Sequence, residues 1–276
     1  MGIRIGCGSW GDDEYVGLLF PKSLPSGERL SGYARWFDHV EINSSYYRTP
    51  RADATAKWVK QTPKGFLFDI KLHRAFSRNP AKVAAEGGLL DYLREGIEPL
   101  RQAGKLGTFF LVLAPDFSPE KHRIQELNLL AEKLQPGTLA VELRHTDWVN
   151  AKNRAATLAY FRERGLIWIA VDMPRLKDTS LMPVMDEVTN PQLAYLRLHG
   201  RNKKYLQAKS AEERHLYEYP ARELKELAAR IKLMAEKAGE VRVVANNHAS
   251  DFAPKTALAL KRLLGQPLPD AMAVSK

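Results

Sequence analysis

The stretch Ala194–Leu206 reads AYLRLHGRNKKYL. On an extended chain Ala194, Leu196 and Leu198 share one face, while Tyr195, Arg197, His199 and Arg201 share the other. In a parallel barrel the helix-facing side of each strand must be apolar, and the opposite side points to the interior or its mouth. The stretch therefore fits one strand of such a barrel, with two arginines and a histidine turned inward. The fold depends on whether the rest of the chain supplies comparable strands.

Seven more short apolar runs recur along the chain, each bounded by turn residues. They begin at Ile3 (IRIGCGS), His39 (HVEIN), Phe66 (FLFDIKLH), Thr108 (TFFLVLA), Leu139 (LAVELRH), Ile167 (IWIAVD) and Val241 (VRVVANN). Helical stretches separate them. Leu89, Leu93, Ile97 and Leu100 have helical spacing, with a bend expected at Pro99. Ser118 followed by Pro119 and Glu120 predicts a helix start. Gly165 predicts a helix end. Residues 173–193 hold three prolines and show no helix. Eight strands with helical crossovers predict an α/β protein with a single (β/α)8 TIM barrel, in which an irregular segment replaces the helix after strand 6. The open doubly wound sheet is the alternative. Gly6, Gly8 and Gly11 approach a dinucleotide-binding pattern, but Asp12 and Asp13 follow and no clean helix opens there. Residues 1–265 form the barrel domain, and 266–276 read as a loose tail.

The same face rule places Glu41 and Asn43 inward on strand 2, Asp69, Lys71 and His73 on strand 3, Glu142 and Arg144 on strand 5, and Asp172 at the end of strand 6. Asn246 and Asn247 close strand 8. These polar positions lie toward the C-terminal strand ends, where barrel active sites are built. A structural reading stands beside the functional one. Glu142 and Arg144 could fill the interior as an ion pair, and Glu41 could pair with Arg197 or Lys71.

The chain has 276 residues, 45% of them hydrophobic, which is enough for a full core. Lys plus Arg outnumber Asp plus Glu by 42 to 32, for a net charge of +10. That balance favours anionic partners. The single cysteine, Cys7, excludes a disulfide framework and a Cys-rich zinc site, and reads as a small buried filler. No apolar segment suggests a signal peptide or a membrane span, so the expectation is a cytoplasmic protein with no membrane partner.

Several segments resemble the ordered motifs of the YecE-like family (domain of unknown function 72). They are IGCGSW, FDHVEINSSYYRTP, TPKGFLFDIK, VELRHTDW, YLRLHGR and NNHASDFAPKTALALKRLL. The resemblance runs from Ile5 to about Leu264 and implies a TIM barrel, with no activity attached. Its motif positions here are Trp10, Glu41, Asn43, Tyr47, Lys71, Glu142, Arg144, Trp148, Arg197, His199, Gly200, Arg201, Asn246 and Asn247. Val112 and Ala114 depart from the polar pattern at the end of strand 4, and Ala245 stands where an aromatic precedes the two asparagines.

At the predicted mouth, Lys71, Arg144, Arg197 and Arg201 outnumber Glu41, Glu142 and Asp172. The excess suits an anionic small molecule or phosphate, with Arg144, Arg197, Arg201, Asn43, Asn246 and Asn247 as anion contacts. Glu41 or Glu142 would act as base and His199 as acid or base. Lys71 would be an anion contact or, if desolvated, a Schiff-base nucleophile. Trp10, Tyr47, Trp148 and Asp172 would line the pocket. Hydrolase, lyase and isomerase chemistry all suit this set. No cofactor is required and no metal site is assigned. A divalent metal held by Glu41, His73, Glu142, Asp172 and His199, as in endonuclease-like barrels, is the alternative, opposed by the cations at the same mouth; His145 and His248 are expected to point elsewhere. A nucleic-acid-binding surface around Arg201, Lys203, Lys204 and Lys209 is a second alternative, and a non-catalytic ligand-binding module a third.

Overall fold

A computed structural model describes residues 2–176, 181–247 and 249–269. Its strands are β1 (Gly2–Cys7), β2 (His39–Ile42), β3 (Leu67–Lys71), β4 (Leu106–Val112), β5 (Leu139–Glu142), β6 (Ile167–Asp172), β7 (Leu193–Leu198) and β8 (Glu240–Ala245). They pair in chain order, all parallel, and β8 closes onto β1. The helices are α1 (Arg29–Tyr33), α2 (Ala52–Gln61), α3 (Pro80–Glu86), α4 (Gly88–Gln102), α5 (Asn128–Lys133), α6 (Arg154–Glu163), α7 (Ala211–His215), α8 (Ala221–Ala235) and α9 (Phe252–Leu263). The chain is the (β/α)8 barrel that its strand pattern predicts.

One local expectation differs from the structure. Ser118 does not open a helix. Glu126 folds back to accept the Arg123 backbone N–H, so the turn starts there and runs into α5. α4 carries Pro99 within it, and its Leu90, Leu93, Ile97 and Leu100 form one buried stripe. Gly165 behaves as expected, closing α6 at φ +63°.

Between β6 and β7 there is no helix among the described residues; residues 177–180 lie outside them. The segment covers the outer face of β6 instead. Thr189 Oγ1 accepts from Trp168 N and donates to Leu166 O, while the Trp168 indole donates to Met185 O. At the C-terminal end Gln266 donates to Ile3 O and Leu268 packs on the core; residues 270–276, the rest of the expected tail, lie outside the described residues. No helix among the described residues is long and apolar enough to cross a membrane.

Strand register decides which side chains enter the barrel. Glu41 lies beside Asp69, Tyr195 beside Arg242, and Arg197 between Val171 and Val244. Neighbours in register share a face, so the interior holds charged side chains set among apolar ones such as Val171 and Val244. A line of polar contacts runs through it. Arg4 and Arg242 both reach Glu240, Arg242 continues to Asp69, and the Tyr195 hydroxyl lies 3.0 Å from both Asp69 and Glu41. Burial keeps Tyr195 protonated, so its single proton serves two carboxylates.

Gly107 lets this line pass. A Cβ there would sit 2.1 Å from Asp69 Oδ1 and 2.9 Å from Arg242 Nη1. Gly107→Ala is expected to cost roughly 1–3 kcal/mol of stability, as overpacking does. Gly11→Ala, with open space around it, should change little. Denaturant unfolding of both variants checks this, and equal stability would remove the packing role of Gly107.

Candidate functional site

Arg197 is the centre of the mouth. Its side chain is 2% exposed. Nε and Nη2 donate to the two oxygens of Glu41, both at 2.9 Å, and Nη1 donates to Glu142 Oε2 at 2.6 Å. The Phe110 ring lies under the guanidinium at 5.1 Å. Arg197 thus clamps acids from β2 and β5 together across the barrel. Those carboxylates push its pKa up against the opposing effect of burial.

Asn246 organises the next shell. Its carbonyl accepts from Arg197 Nη2 at 3.3 Å, which leaves its amide N–H for His199 Nδ1 at 3.0 Å. The His199 proton therefore sits on Nε2, facing Glu142 Oε1 at 3.4 Å. Arg144 Nε approaches the same oxygen at 2.5 Å. These three buried atoms lie within reach of one another, yet none has hydrogen-bond geometry with any partner. Burial would raise the Glu142 pKa, but Arg144, Arg197 and His199 hold it well below the usual range. Burial keeps His199 neutral against the pull of Glu142.

Lys71 closes β3 beside Phe110, half-buried at the open end. Its ammonium lies 4.5 Å from the Tyr46 ring centre and has no hydrogen-bond or ion-pair partner among the described residues. Burial lowers its pKa to about 8; Arg197 and Arg144 push the same way, and Glu41 and Glu142 oppose them. Arg144 extends outward from Glu142, with Nη1 3.4 Å from the Tyr205 hydroxyl. It lines a cavity of about 230 Å³ with Pro115, His145, Met173, Tyr205 and Arg214. Met173, Leu181 and Met182 also wall a larger hollow of about 710 Å³.

The sequence matches the family described as "Protein of unknown function DUF72" over residues 4–274. The chain belongs to the DUF72 family. It is 25% identical to the UPF0759 protein YunF of Bacillus subtilis (strain 168) over 270 residues, which is 95% of this chain and 94% of YunF. It is 27% identical to the UPF0759 protein YecE of Escherichia coli (strain K12) over 175 residues, 62% of this chain and 59% of YecE. A crystal structure of a DUF72 family protein from Enterococcus faecalis V583 superposes with a TM-score of 0.82 at 26% identity, covering 97% of each chain.

Within this DUF72 barrel the expected residues divide into two groups. Glu41, Lys71, Glu142, Arg144, Arg197, His199 and Asn246 converge, and Asn43 joins them by donating to Glu41 at 3.4 Å and to Gly8 O at 3.0 Å. Asp172 does not. It lies in register with Leu198 and therefore faces the helices, where Arg201, Arg230 and Tyr219 bind it. Every residue of β6 is buried, so the strand has no polar face to betray its phase. Arg201 is also outside the barrel. Gly200, at φ +88°, breaks the alternation and sends Arg201 to Asp172 and Glu226. Asn247 points outward and donates to Tyr217 O and Thr256 Oγ1.

Of the expected pocket aromatics, Tyr47 stays near the mouth, edge-on to Tyr46 at 5.1 Å. Trp148 is buried, with its indole N–H on Phe117 O. Trp10 packs edge-to-face on Trp58 at 5.3 Å, and Tyr47 is 70% exposed. His73 and His145 each accept a nearby backbone N–H, and His248 lies outside the described residues. No group of three or more His, Cys, Asp or Glu side chains among the described residues is placed to hold a metal. Cys7 is buried, and desolvation raises its pKa, keeping it a thiol. Sequence reasoning assigned no role to Tyr195, Asp69, Arg242 or Phe110. The signal was the shared face of Tyr195 and Arg197.

Two measurements follow from this geometry. Arg197→Met would remove the cation that the buried Glu41 and Glu142 share, leaving Glu41 without its ion pair, and should cost about 3–5 kcal/mol in denaturant unfolding; a loss under about 1 kcal/mol would mean that the acids are not held by Arg197. His199 is neutral when folded but takes up a proton below about pH 6.5 when unfolded. The unfolded state then binds more protons, so stability falls as pH drops below that value, by up to about 1.4 kcal/mol per pH unit. His199→Gln should flatten that part of the stability–pH curve, and an unchanged slope would locate its source elsewhere.

Proposed function

We propose that the protein binds a small anionic molecule, phosphorylated or carboxylated, at the C-terminal mouth and carries out proton-transfer chemistry on it. The observation that carries this reading is the positive charge left over at the mouth. Lys71, Arg144 and Arg197 face two carboxylates, and Arg197 is consumed by both of them. Lys71 has no hydrogen-bond or ion-pair partner among the described residues, and Arg144, close enough to act on its charge, lines a cavity of about 230 Å³. An anion between them would supply the missing counter-charge and take bidentate hydrogen bonds from Arg144.

The roles differ from a simple two-acid scheme. Glu41 is saturated by Arg197, Tyr195 and Asn43, so it serves as a fixed charge. Glu142 is held ionised and is too weak a base for ready proton abstraction. Lys71, at about 8, has a proton affinity matched to transfer near neutral pH. His199 presents a neutral N–H, next to Glu142, as a donor for a developing negative charge.

Calorimetry with inorganic phosphate, citrate and 2-phosphoglycolate tests the site. At least one should bind, and Lys71→Met should weaken it by about tenfold or more, as loss of a charged contact does. The fold should stay intact, because Lys71 holds no ion pair among the described residues. Binding that is absent from the wild type, or unaltered in the variant, would overturn the proposal.

A further inference from the structure

Lys71 differs from every other ionisable side chain clustered at the mouth in that it makes no polar bond to the protein. Glu41, Arg197 and Asn246 are hydrogen-bonded to one another, and Glu142 bonds Arg197. Arg144 and His199 crowd Glu142 Oε1. Lys71 instead meets the face of Tyr46 at 4.5 Å. An amine that the surrounding polar groups leave unbound keeps its lone pair available once its proton departs. The ring below excludes water from one side. The strand end is half-buried, so the other side opens toward the mouth.

We propose that Lys71 is a nucleophile that condenses with the carbonyl group of a small anionic aldehyde or ketone, such as a 2-oxo acid or a phosphorylated carbonyl compound. The inference rests on the anion site proposed above and names its substrate class. The free amine attacks the carbonyl carbon, the C=O π pair moves to oxygen, and a proton passes from the nitrogen to that oxygen to give the neutral carbinolamine. A second proton, from solvent at the open mouth, lets the hydroxyl leave as water while the regained nitrogen lone pair forms the C=N bond, which leaves a protonated iminium on Nζ. No oxidant or reductant is needed. Arg144, which contacts neither Lys71 nor Arg197 through a hydrogen bond, is placed to hold the carboxylate or phosphate of the same molecule. Glu41 and Glu142, whose carboxylates act electrostatically on Lys71, stabilise the new cationic nitrogen.

Burial supports this reading by bringing Lys71 to about 8, so that roughly a tenth of it is free amine at neutral pH. An ordinary lysine near 10.4 has fewer than about one part in a thousand.

The experiment treats the full chain with glyoxylate, the smallest anionic aldehyde, followed by borohydride, and maps carboxymethylated lysines by peptide mass. Lys71 should be modified about tenfold faster than exposed Lys203 and Lys204 at neutral pH, with a rate half-maximal near pH 8. Acetaldehyde, which has no charge, should show a smaller preference for Lys71. Lys71→Arg keeps the positive charge, so it should retain phosphate binding and give no adduct at that position. Modification of Lys71 no faster than Lys203 and Lys204, with phosphate binding intact, overturns the nucleophile and leaves the anion site standing. Equal preference with acetaldehyde overturns the anionic part of the substrate class. Preferential glyoxylate labelling without phosphate binding upholds the nucleophile and overturns phosphate as its ligand class.

Discussion

The buried guanidinium of Arg197 is the constraint on which the rest of the mouth depends. Moving one such ion and two carboxylates out of water costs several kcal/mol per group before any contact is made. That cost is offset only where geometry is good and the remaining donors and acceptors are filled. Here the acids come from β2 and β5, Asn246 takes a further hydrogen, and Phe110 lies beneath. Three strands are thereby fixed in relative height. Arg144 and His199 take their positions from that frame, because each follows the end of a strand that the clamp holds, and Lys71 lies on β3, paired to the clamped β2.

A second ionic cluster lies outside the barrel and is separate from the first. Asp172 gathers Arg201, Arg230 and Tyr219, and Arg230 in turn binds Asp186. This cluster ties β6, the loop after β7, the irregular segment and α8 together. It fills the place where a helix after β6 would otherwise brace the strand. The two clusters sit on opposite faces of the same sheet wall, with Leu198 and Gly200 at the crossing. Charge in this protein therefore has two jobs at two radii. The inner set shapes a site, and the outer set closes the fold.

The sequence made the barrel legible because eight runs with apolar faces and short crossovers leave few alternatives. The inner residues of β2, β3, β5 and β7 were legible for the same reason, since one polar face in an otherwise apolar strand has a single place to go. Asp172 was misplaced because IWIAVD is apolar on both faces and gives no phase. Arg201 was misplaced because one glycine in the left-handed region resets the alternation, and a sequence pattern counts through it. The aromatics Trp10 and Trp148 follow strand ends, yet each packs against another ring, Trp10 on Trp58 of α2 and Trp148 on Phe117 of the loop after β4. Pairing was the least visible level. Alternation shows that Arg197 and Glu41 face inward, but only register and height show that Arg197 is used up by acids while Lys71 is not.

The line of contacts from Arg4 through Glu240, Arg242, Asp69, Tyr195, Glu41 and Arg197 to Glu142 has a consequence for how such a chain can change over generations. From Arg242 to Glu142 no charged member can be exchanged for a neutral side chain without stranding a buried neighbour. Single heritable changes along the axis are therefore costly, whereas the helices around it can vary one residue at a time. Drift at the axis would proceed by compensated pairs, acid with base. Lys71 stands to one side of that line, so it can be altered or retained on the merits of its chemistry alone.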